Sequence, residues 1–278
     1  MEGIMKRILY LTDLYYEAKG RRYCDEDIYI VGKLMDHFDV AMCNLKNSTS
    51  FEDCADLVII RNIGPVSGFP ELYHDFISRV KTSGIKTFNE FKGKADMLGK
   101  QYLLDLTQQG YPVIPTIDRI EDFSVLPESD RYVIKPKGGA DSIGLEFLSK
   151  DELFRRNNLK EILIQPAIDF VYEVSLYFID NKLEYALYAP DKTKRWELKR
   201  YDYSTEDADF AKKFIEWNDI SHGIQRVDAC RTRDGRLLLV ELEDLDPYLS
   251  IGELDEQTRE QFITDFISAI NNQIDHIE

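Results

Sequence analysis

The segment RVDACRTRDGRLLLVELE, residues 226–243, decides the fold, because it combines a β-hairpin pattern with a cluster of charges. Two largely apolar segments flank Asp234-Gly235, a dipeptide typical of a hairpin turn. The second segment runs into four carboxylates within six residues, namely Glu241, Glu243, Asp244 and Asp246. Burial of even one unpaired carboxylate is costly, and like charges this close repel. The segment is therefore either a strand that ends at the surface in an acidic turn, or a site for divalent cations.

Strand pairing adds a third carboxylate to the same face. With this turn, Asp228 on the first strand falls opposite Glu241 on the second. Glu241 and Glu243 share a face, because residues i and i+2 of a strand point the same way. Three converging carboxylates favour a metal site over a solvated acidic edge, and Mg²⁺ prefers such oxygen ligands. Asp244 and Asp246 are predicted to be turn and cap residues.

Composition narrows the class of protein. The chain has 278 residues, 44% of them apolar, so we expect a folded protein with two or three subdomains. Its net charge of −16 disfavours a nucleic-acid partner, and a site for an anion must gather its Lys and Arg locally. The four scattered cysteines are expected to be free thiols in the cytoplasm. No segment has the roughly 20 apolar residues that span a bilayer, so no membrane partner is expected.

The predicted elements change character near residue 90. Before it, predicted strands alternate with helices, which indicates an α/β domain with a parallel sheet covered on both faces: strands 6–13, 39–45, 55–64 and 85–90, with helices 25–38 and 70–84. After it, the pattern is α+β with antiparallel hairpins: helices 94–109, 204–218 and 255–276, strands 131–136, 143–149 and 161–169, and hairpins 172–190 and 224–242. We predict three domains, residues 1–90, 91–168 and 169–278.

Cations lie in three separate parts of the sequence. Lys135 ends a predicted strand and precedes the glycine-rich loop 137–142, where a backbone without side chains can approach phosphates. Similar segments also occur in ordinary surface hairpins. Lys100 lies on a predicted helix, where a single lysine is normally solvated. Arg226 shares a strand face with Asp228, and a cation beside a metal cluster usually serves an anion that contacts both.

Five features in order resemble the ATP-grasp superfamily: a helix lysine, GYPVIPT, VIKPKGG, ILIQPAIDFVYEVSL and RVDACRTRDGRLLLVELE. That superfamily includes glutathione synthetase, D-alanine–D-alanine ligase and the ribosomal-protein glutamyl ligases. The resemblance covers roughly residues 90–250, and residues 1–90 resemble the α/β domain that precedes the ATP-grasp module. It implies a ligase that uses ATP to join a carboxylate to an amine, with two Mg²⁺ ions or Mn²⁺ in their place. Amino acids or peptides are the expected substrates, and a homodimer is one option for assembly.

The resemblance also implies how ATP is bound. Two lysines would hold the phosphates, a glycine-rich lid would cover them, and the backbone of the hinge 164–168 would read adenine. One carboxylate would hold the ribose hydroxyls. The positions implied for ATP are Lys100, Lys135, Gly138, Gly139, Gln165, Ala167, Ile168 and Glu173.

Metal and catalytic positions follow in the same way. Asp228 and Glu241 match magnesium ligands, whereas Glu243 stands where the family usually has Asn and adds a negative charge. Arg226 matches the arginine that stabilises the developing oxyanion, and Lys135 is implied as a second catalytic group. Three further cations lie where relatives present positive charge to the transferred phosphate: Lys192, Lys194 and Arg195.

The substrate pocket and the reaction leave alternatives open. Arg61 is either an anchor for a substrate carboxylate or a surface-loop arginine; Arg21 and Arg22 are further candidates, and His74 and His222 are predicted to be structural. The same ATP site would also suit an acid–thiol ligase, a phosphotransferase or an ATP-binding protein without turnover. A Ca²⁺-binding acidic protein ranks last, because no EF-hand pattern is present.

Overall fold

The computed structural model describes residues 5–18, 20–138, 144–156 and 159–275. The strands are β1 Arg7–Leu11, β2 Glu17–Ala18, β3 Arg21–Arg22, β4 Asp39–Cys43, β5 Leu57–Ile60, β6 Thr87–Phe88, β7 Tyr132–Pro136, β8 Glu146–Leu148, β9 Ile162–Pro166, β10 Phe170–Ile179, β11 Lys182–Ala189, β12 Lys199–Arg200, β13 Ile224–Thr232 and β14 Leu237–Glu243. The helices are α1 Cys24–Leu34, α2 Thr49–Glu52, α3 Pro70–Ser83, α4 Tyr102–Gln108, α5 Lys150–Arg155, α6 Thr205–Asn218 and α7 Glu256–Asp275.

The first sheet is parallel, with strand order β4-β1-β5-β6. Both of its faces are covered, which is why its strands are apolar without alternation. Ile8 and Tyr10 of β1 pack with α1, while Leu9 and Leu11 pack with α3 on the opposite face. The α/β prediction for this region is confirmed.

The second sheet has three antiparallel strands in the order β8-β7-β9. Helix α5 covers it through Leu153, which packs with Tyr132 and Ile134 of β7. Lys135 lies one residue further along β7, and the strand leads directly toward the glycine-rich loop. This small sheet therefore fixes the start of that loop.

The third sheet is antiparallel, with strand order β12-β11-β10-β13-β14, as the α+β prediction expected. Leu176 of β10 faces α4 and α6, whereas Tyr177 faces the opposite way and packs in one core with Phe88 and with Phe266 of α7. The first and third sheets thus share a core that crosses the predicted boundary at residue 90. The three-domain division stays a prediction.

The continuous helix predicted over residues 94–109 is wrong. A short 3-10 turn at Asp96–Leu98 is followed by Gly99 at φ 87°, and α4 begins only at Tyr102. The Asp244 carboxylate causes the interruption, because it accepts hydrogen bonds from the backbone N–H of Ala95 (3.1 Å) and Met97 (2.8 Å). This confirms Asp244 as a cap and places Lys100 in the turn before the helix.

None of the helices in the described ranges is both long and apolar enough to cross a membrane.

Candidate active site

A cavity of about 460 Å³ lies between the three sheets. Loops after β1 and β5 form one wall, which is the carboxyl edge of the parallel sheet, where α/β proteins commonly bind ligands. The third sheet forms the floor, and the start of the glycine-rich loop borders the opening. Its lining includes Tyr23, Gly138, Glu173, Arg226, Glu241 and Tyr248.

The floor brings the three predicted carboxylates together. One carboxylate oxygen from each of Asp228, Glu241 and Glu243 lies within 4.8 Å of the others. Asp228 pairs directly with Glu241, and Arg226 pairs with Glu243. Ser175 on β10 also donates to Asp228 at 2.6 Å, which fixes the orientation of that carboxylate.

The predicted pairing of Asp228 with Glu241 is confirmed, but the turn and the strand register that produce it differ from the prediction. Near the turn the register is shifted by one residue, with Ala229 opposite Leu239, because the loop has three residues rather than two. A β-bulge at Val240 then restores the expected pairing. Bulges often re-aim side chains beside functional sites, and this one places Glu241 in the cluster.

Arg226 neutralises two of the three carboxylates. Its Nη2 donates to Asp228 at 2.8 Å and to Glu243 at 2.5 Å, and its Nη1 donates to the Tyr248 carbonyl at 2.8 Å. Burial lowers the pKa of Arg226, but the carboxylates of Asp228 and Glu243 raise it more, so that it stays above its ordinary value. Burial raises the pKa of Glu243 to about 7 despite the opposing charge of Arg226. The arginine therefore stays charged while being held by the acidic cluster.

The charges of the two predicted lysines act on each other. Lys100 is buried, contacts Glu241 and lies 3.8 Å from Asp96. Its backbone N–H donates to the Lys137 carbonyl, which ties the turn to the start of the glycine-rich loop. Burial and the nearby charge of Lys100 lower the pKa of Lys135 to about 7. An anionic ligand beside Lys135 would favour its charged form again.

The hinge residues are partly engaged by the protein. The buried Gln165 donates from Nε2 to Thr116 Oγ1 at 2.8 Å. The N–H of Ala167 donates to the Arg131 carbonyl at 2.9 Å, so this N–H is not available to adenine in the present arrangement. Ile168 follows directly, and its role in adenine recognition stays a prediction.

The remaining predicted cofactor residues separate into two groups. Arg195 donates two hydrogen bonds to Glu173, at 2.7 and 3.2 Å, and both residues line the cavity. Lys194 instead pairs with Glu197 at 2.8 Å, and Lys192 pairs with Asp169, both in exposed positions. Gly138 borders the cavity, whereas Gly139 lies outside the described residues.

Both interpretations of Arg61 are wrong. The side chain is only 1% exposed, so it is neither a surface-loop arginine nor a lining residue. It donates to the Pro247 carbonyl at 2.6 Å and to Glu26 at 3.3 Å, and it lies 3.7 Å from Asp27. Arg61 therefore fastens the segment after β14 to the first sheet.

Several residues that line the cavity were not predicted from the sequence. Asp96 and the tyrosines 16, 23 and 248 line the cavity, and no local pattern distinguishes them from surface residues. Asp246 was predicted as a turn residue, and it does accept from the Ile63 N–H at 3.1 Å, but it also lines the cavity. Proximity to the acidic segment 241–246 was the one available signal for it.

Comparisons with known proteins place this geometry in a known fold. No protein-family model matches the chain, and no curated protein is similar to it in sequence. Among solved structures, D-cycloserine synthetase DcsG is similar with a TM-score of 0.76 and 19% identity over 96% of this chain and 99% of that one. D-alanine–D-alanine ligase from Bacillus anthracis, complexed with ATP, gives 0.70 and 13% over 96% and 98%. The ATP-grasp ligase PsnB, complexed with a precursor peptide and AMPPNP, gives 0.62 and 13% over 99% of both chains.

The chain has the ATP-grasp fold. The resemblance noted in the sequence is therefore confirmed for the fold, and it extends beyond residues 90–250 to almost the whole chain. Lys135 lies on the second sheet and the carboxylates lie on the third, and Lys100 connects the two, since its N–H donates to the Lys137 carbonyl and its side chain contacts Glu241. At these identities the likeness concerns the fold, so the activity has to be argued from the site itself.

Proposed function

We propose that the protein is an ATP-dependent ligase that joins a carboxylate to an amine through an acyl-phosphate intermediate and releases ADP and phosphate. One observation carries the proposal. Three carboxylates lie within 4.8 Å of one another, a buried lysine, Lys100, contacts one of them, Glu241, and the charge of Lys100 acts on a second lysine, Lys135. Such an arrangement is complementary to a triphosphate with its divalent cations.

The carboxylates of Asp228, Glu241 and Glu243 fit Mg²⁺, because they are hard oxygen donors and outnumber the two cations, Lys100 and Arg226, that contact them. We propose two Mg²⁺ ions, with Mn²⁺ as an alternative. When bound, the metal neutralises charge on the phosphate oxygens and on the leaving ADP.

Side chains around the metal cluster are assigned to the nucleotide. Lys100 and Lys135 bind phosphate oxygens, and the loop that begins at Gly138 covers them. Glu173 binds the ribose hydroxyls, with Arg195 as its present partner. Glu173, Arg195 and Gly138 line the cavity, which supports their assignments. Lys100 and Lys135 are not among its lining residues, and their assignment rests on the contact of Lys100 with Glu241 and on the resemblance described above.

The chemistry needs two displacements. A substrate carboxylate oxygen attacks the γ-phosphorus, the bond to the β-phosphate oxygen breaks, and ADP and an acyl phosphate result. The amine nitrogen then attacks the acyl carbon and loses a proton, and phosphate leaves with the electrons of the C–O bond. Arg226 faces the oxyanion of the tetrahedral intermediate, because its guanidinium is held in place by three acceptors. Water must be excluded throughout, since it would hydrolyse the acyl phosphate.

Small acids and amines, such as amino acids or short peptides, are the proposed substrates, since a cavity of about 460 Å³ must hold them together with the phosphates. A cytoplasmic location is part of the proposal, because ATP and Mg²⁺ are plentiful there. Light scattering would test the predicted homodimer.

A screen tests the proposed activity. Phosphate release from Mg·ATP is measured over pairs of carboxylic acids and amines, and active pairs are analysed by mass spectrometry. We expect ADP, phosphate and a product with the mass of both substrates less one water, all absent in Asp228→Asn. A phosphorylated product or a thioester would replace the proposal with one of its rivals. Nucleotide binding without turnover across the screen would indicate an ATP-binding protein instead.

A further inference from the structure

We propose that the amine substrate binds as a cation at Asp246, against a wall formed by Tyr16, Tyr23 and Tyr248, and that Arg21 selects amines that also carry a carboxylate. This inference rests on the proposed function and deepens it. It names the amine as an amino acid in its zwitterionic form, and it names the residues that recognise the two charges.

Among the carboxylates that line the cavity in the described part of the chain, Asp246 has the least positive charge close to it. Glu173 is paired with Arg195, Glu241 with Lys100, and Asp228 and Glu243 with Arg226. In the described part of the chain, Asp246 has a backbone N–H as its hydrogen-bond donor and no cation within 4.0 Å. Burial, together with the charges of Asp96 and Glu243, raises its pKa well above the usual range, although Arg61 acts in the opposite direction. An incoming ammonium supplies the missing positive charge.

The tyrosine wall tells an organic ammonium from a metal ion. Tyr23 and Tyr248 are stacked with ring centroids 4.6 Å apart, and Tyr16 meets Tyr23 edge-on at 5.2 Å. All three rings line the cavity together with Asp246. Aromatic rings do not ligate Mg²⁺, whereas a cavity that offers both a carboxylate and ring faces suits an ammonium on an apolar carbon chain.

Arg21 provides the opposite charge in the same cavity. Its Nη2 donates to the Trp196 carbonyl at 2.9 Å, and it lies 3.4 Å from Glu253. It also acts on the Tyr248 hydroxyl, whose pKa it lowers against the larger effect of burial. A guanidinium has five N–H donors in a fork that matches a carboxylate, more than these contacts require. A ligand with both charges would span from Asp246 to Arg21 along the rings.

This subsite adjoins the group assigned to the oxyanion. The Tyr248 carbonyl accepts from Arg226 Nη1 at 2.8 Å, while the Tyr248 ring forms part of the wall. One residue thus holds the arginine with its backbone and borders the amine with its side chain. The proposed subsite and Arg226 are therefore connected through Tyr248.

Calorimetry in saturating Mg·AMPPNP tests the inference without turnover. The probes are alanine, serine and phenylalanine in both enantiomers. Each is matched with the 2-hydroxy acid that replaces the ammonium by a hydroxyl and with the amine that lacks the carboxylate. We expect wild type to bind at least one amino acid at least tenfold more tightly than its hydroxy acid. Asp246→Asn should abolish this preference, since its amide oxygen can still accept from Ile63 but carries no charge. Arg21→Gln should weaken binding of the amino acid but not of the amine that lacks its carboxylate.

The control variant is Asp36→Asn, the same chemical change at an exposed position, which should keep the preference. Retention of the preference in Asp246→Asn would overturn the inference, even if that variant were less stable. Binding of Mg·AMPPNP without any amino acid binding in wild type would also overturn it and leave the proposed function standing. Failure of Mg·AMPPNP itself to bind would defeat the proposed function.

Discussion

Binding of Mg·AMPPNP at pH 8 should make Lys135 take up a proton. Burial and the charge of Lys100 lower the pKa of Lys135 to about 7, so this amine is largely neutral at pH 8 before the nucleotide binds. A triphosphate beside it favours the ammonium form and moves the pKa back toward the ordinary value of about 10.4. The complex therefore holds a proton that the free protein lacks.

The size of the effect follows from that pKa. About 0.1 of Lys135 is protonated at pH 8 and about 0.9 at pH 6, so full protonation in the complex takes up about 0.9 proton at pH 8 and about 0.1 at pH 6. This decrease toward low pH is the sign expected of a lysine whose pKa is depressed in the free protein. Burial raises the pKa values of Glu243 and Asp244 to about 7, so these acids are largely ionised at pH 8 and contribute little there.

Calorimetric titrations in buffers with different ionisation enthalpies give the number of protons directly. Lys135→Met should lower the uptake at pH 8 by nearly one proton, whereas Lys212→Met, an exposed lysine on α6, should not change it. Equal uptake by wild type and Lys135→Met would refute the reasoning, because the triphosphate would then lie too far from Lys135 to change its protonation.

Three further substitutions test the site and the core. Glu241→Gln should lower ATP turnover by about 10²–10³-fold, because a charge that stabilises the metal is lost, while the urea midpoint stays near that of wild type. Retained turnover would contradict the metal assignment. Glu216→Gln, the same change at an exposed position, is the control. Arg61→Met should reduce the free energy of unfolding by about 3–5 kcal/mol in urea titrations, because it leaves the buried Glu26 without its cation. An unchanged midpoint would show that the pair does not stabilise the fold. Tyr102→Phe should cost about 1–3 kcal/mol in the same assay, since a buried strand amide loses its acceptor; a change near zero would mean that another acceptor replaces the hydroxyl.

Local patterns predicted the elements that depend on near neighbours. The uninterrupted apolar residues of β5 indicated a strand buried on both faces, and the structure confirms this. The capping box of Ser204 and Asp207 begins α6 at the predicted position, because both hydrogen bonds join residues three apart. The helix over 94–109 failed for the opposite reason, since the carboxylate that interrupts it comes from Asp244, far along the chain.

The three carboxylates on the floor of the site were also predicted, although the predicted turn was one residue too short. A hairpin turn at Asp234-Gly235 was enough to bring Asp228 opposite Glu241. The three-residue loop and the bulge at Val240 were not predicted, because they depend on how the hairpin fits against its neighbours in the sheet. Their two one-residue shifts cancel, so the cluster forms where the sequence indicated.

The sequence by itself determined the ATP-grasp fold, the alternating elements and the charged residues of the acidic hairpin, because each depends on patterns within one element or on a recognisable order of segments. Only the tertiary structure decided that Arg61 is buried, that Lys100 contacts Glu241, and that Asp246 shares a cavity with Tyr23. These residues lie up to more than 200 positions apart, and they meet because the first and third sheets pack on one core. A single sequence carries no local signal for contacts of that kind, since the same side chains would serve equally well on a solvated surface.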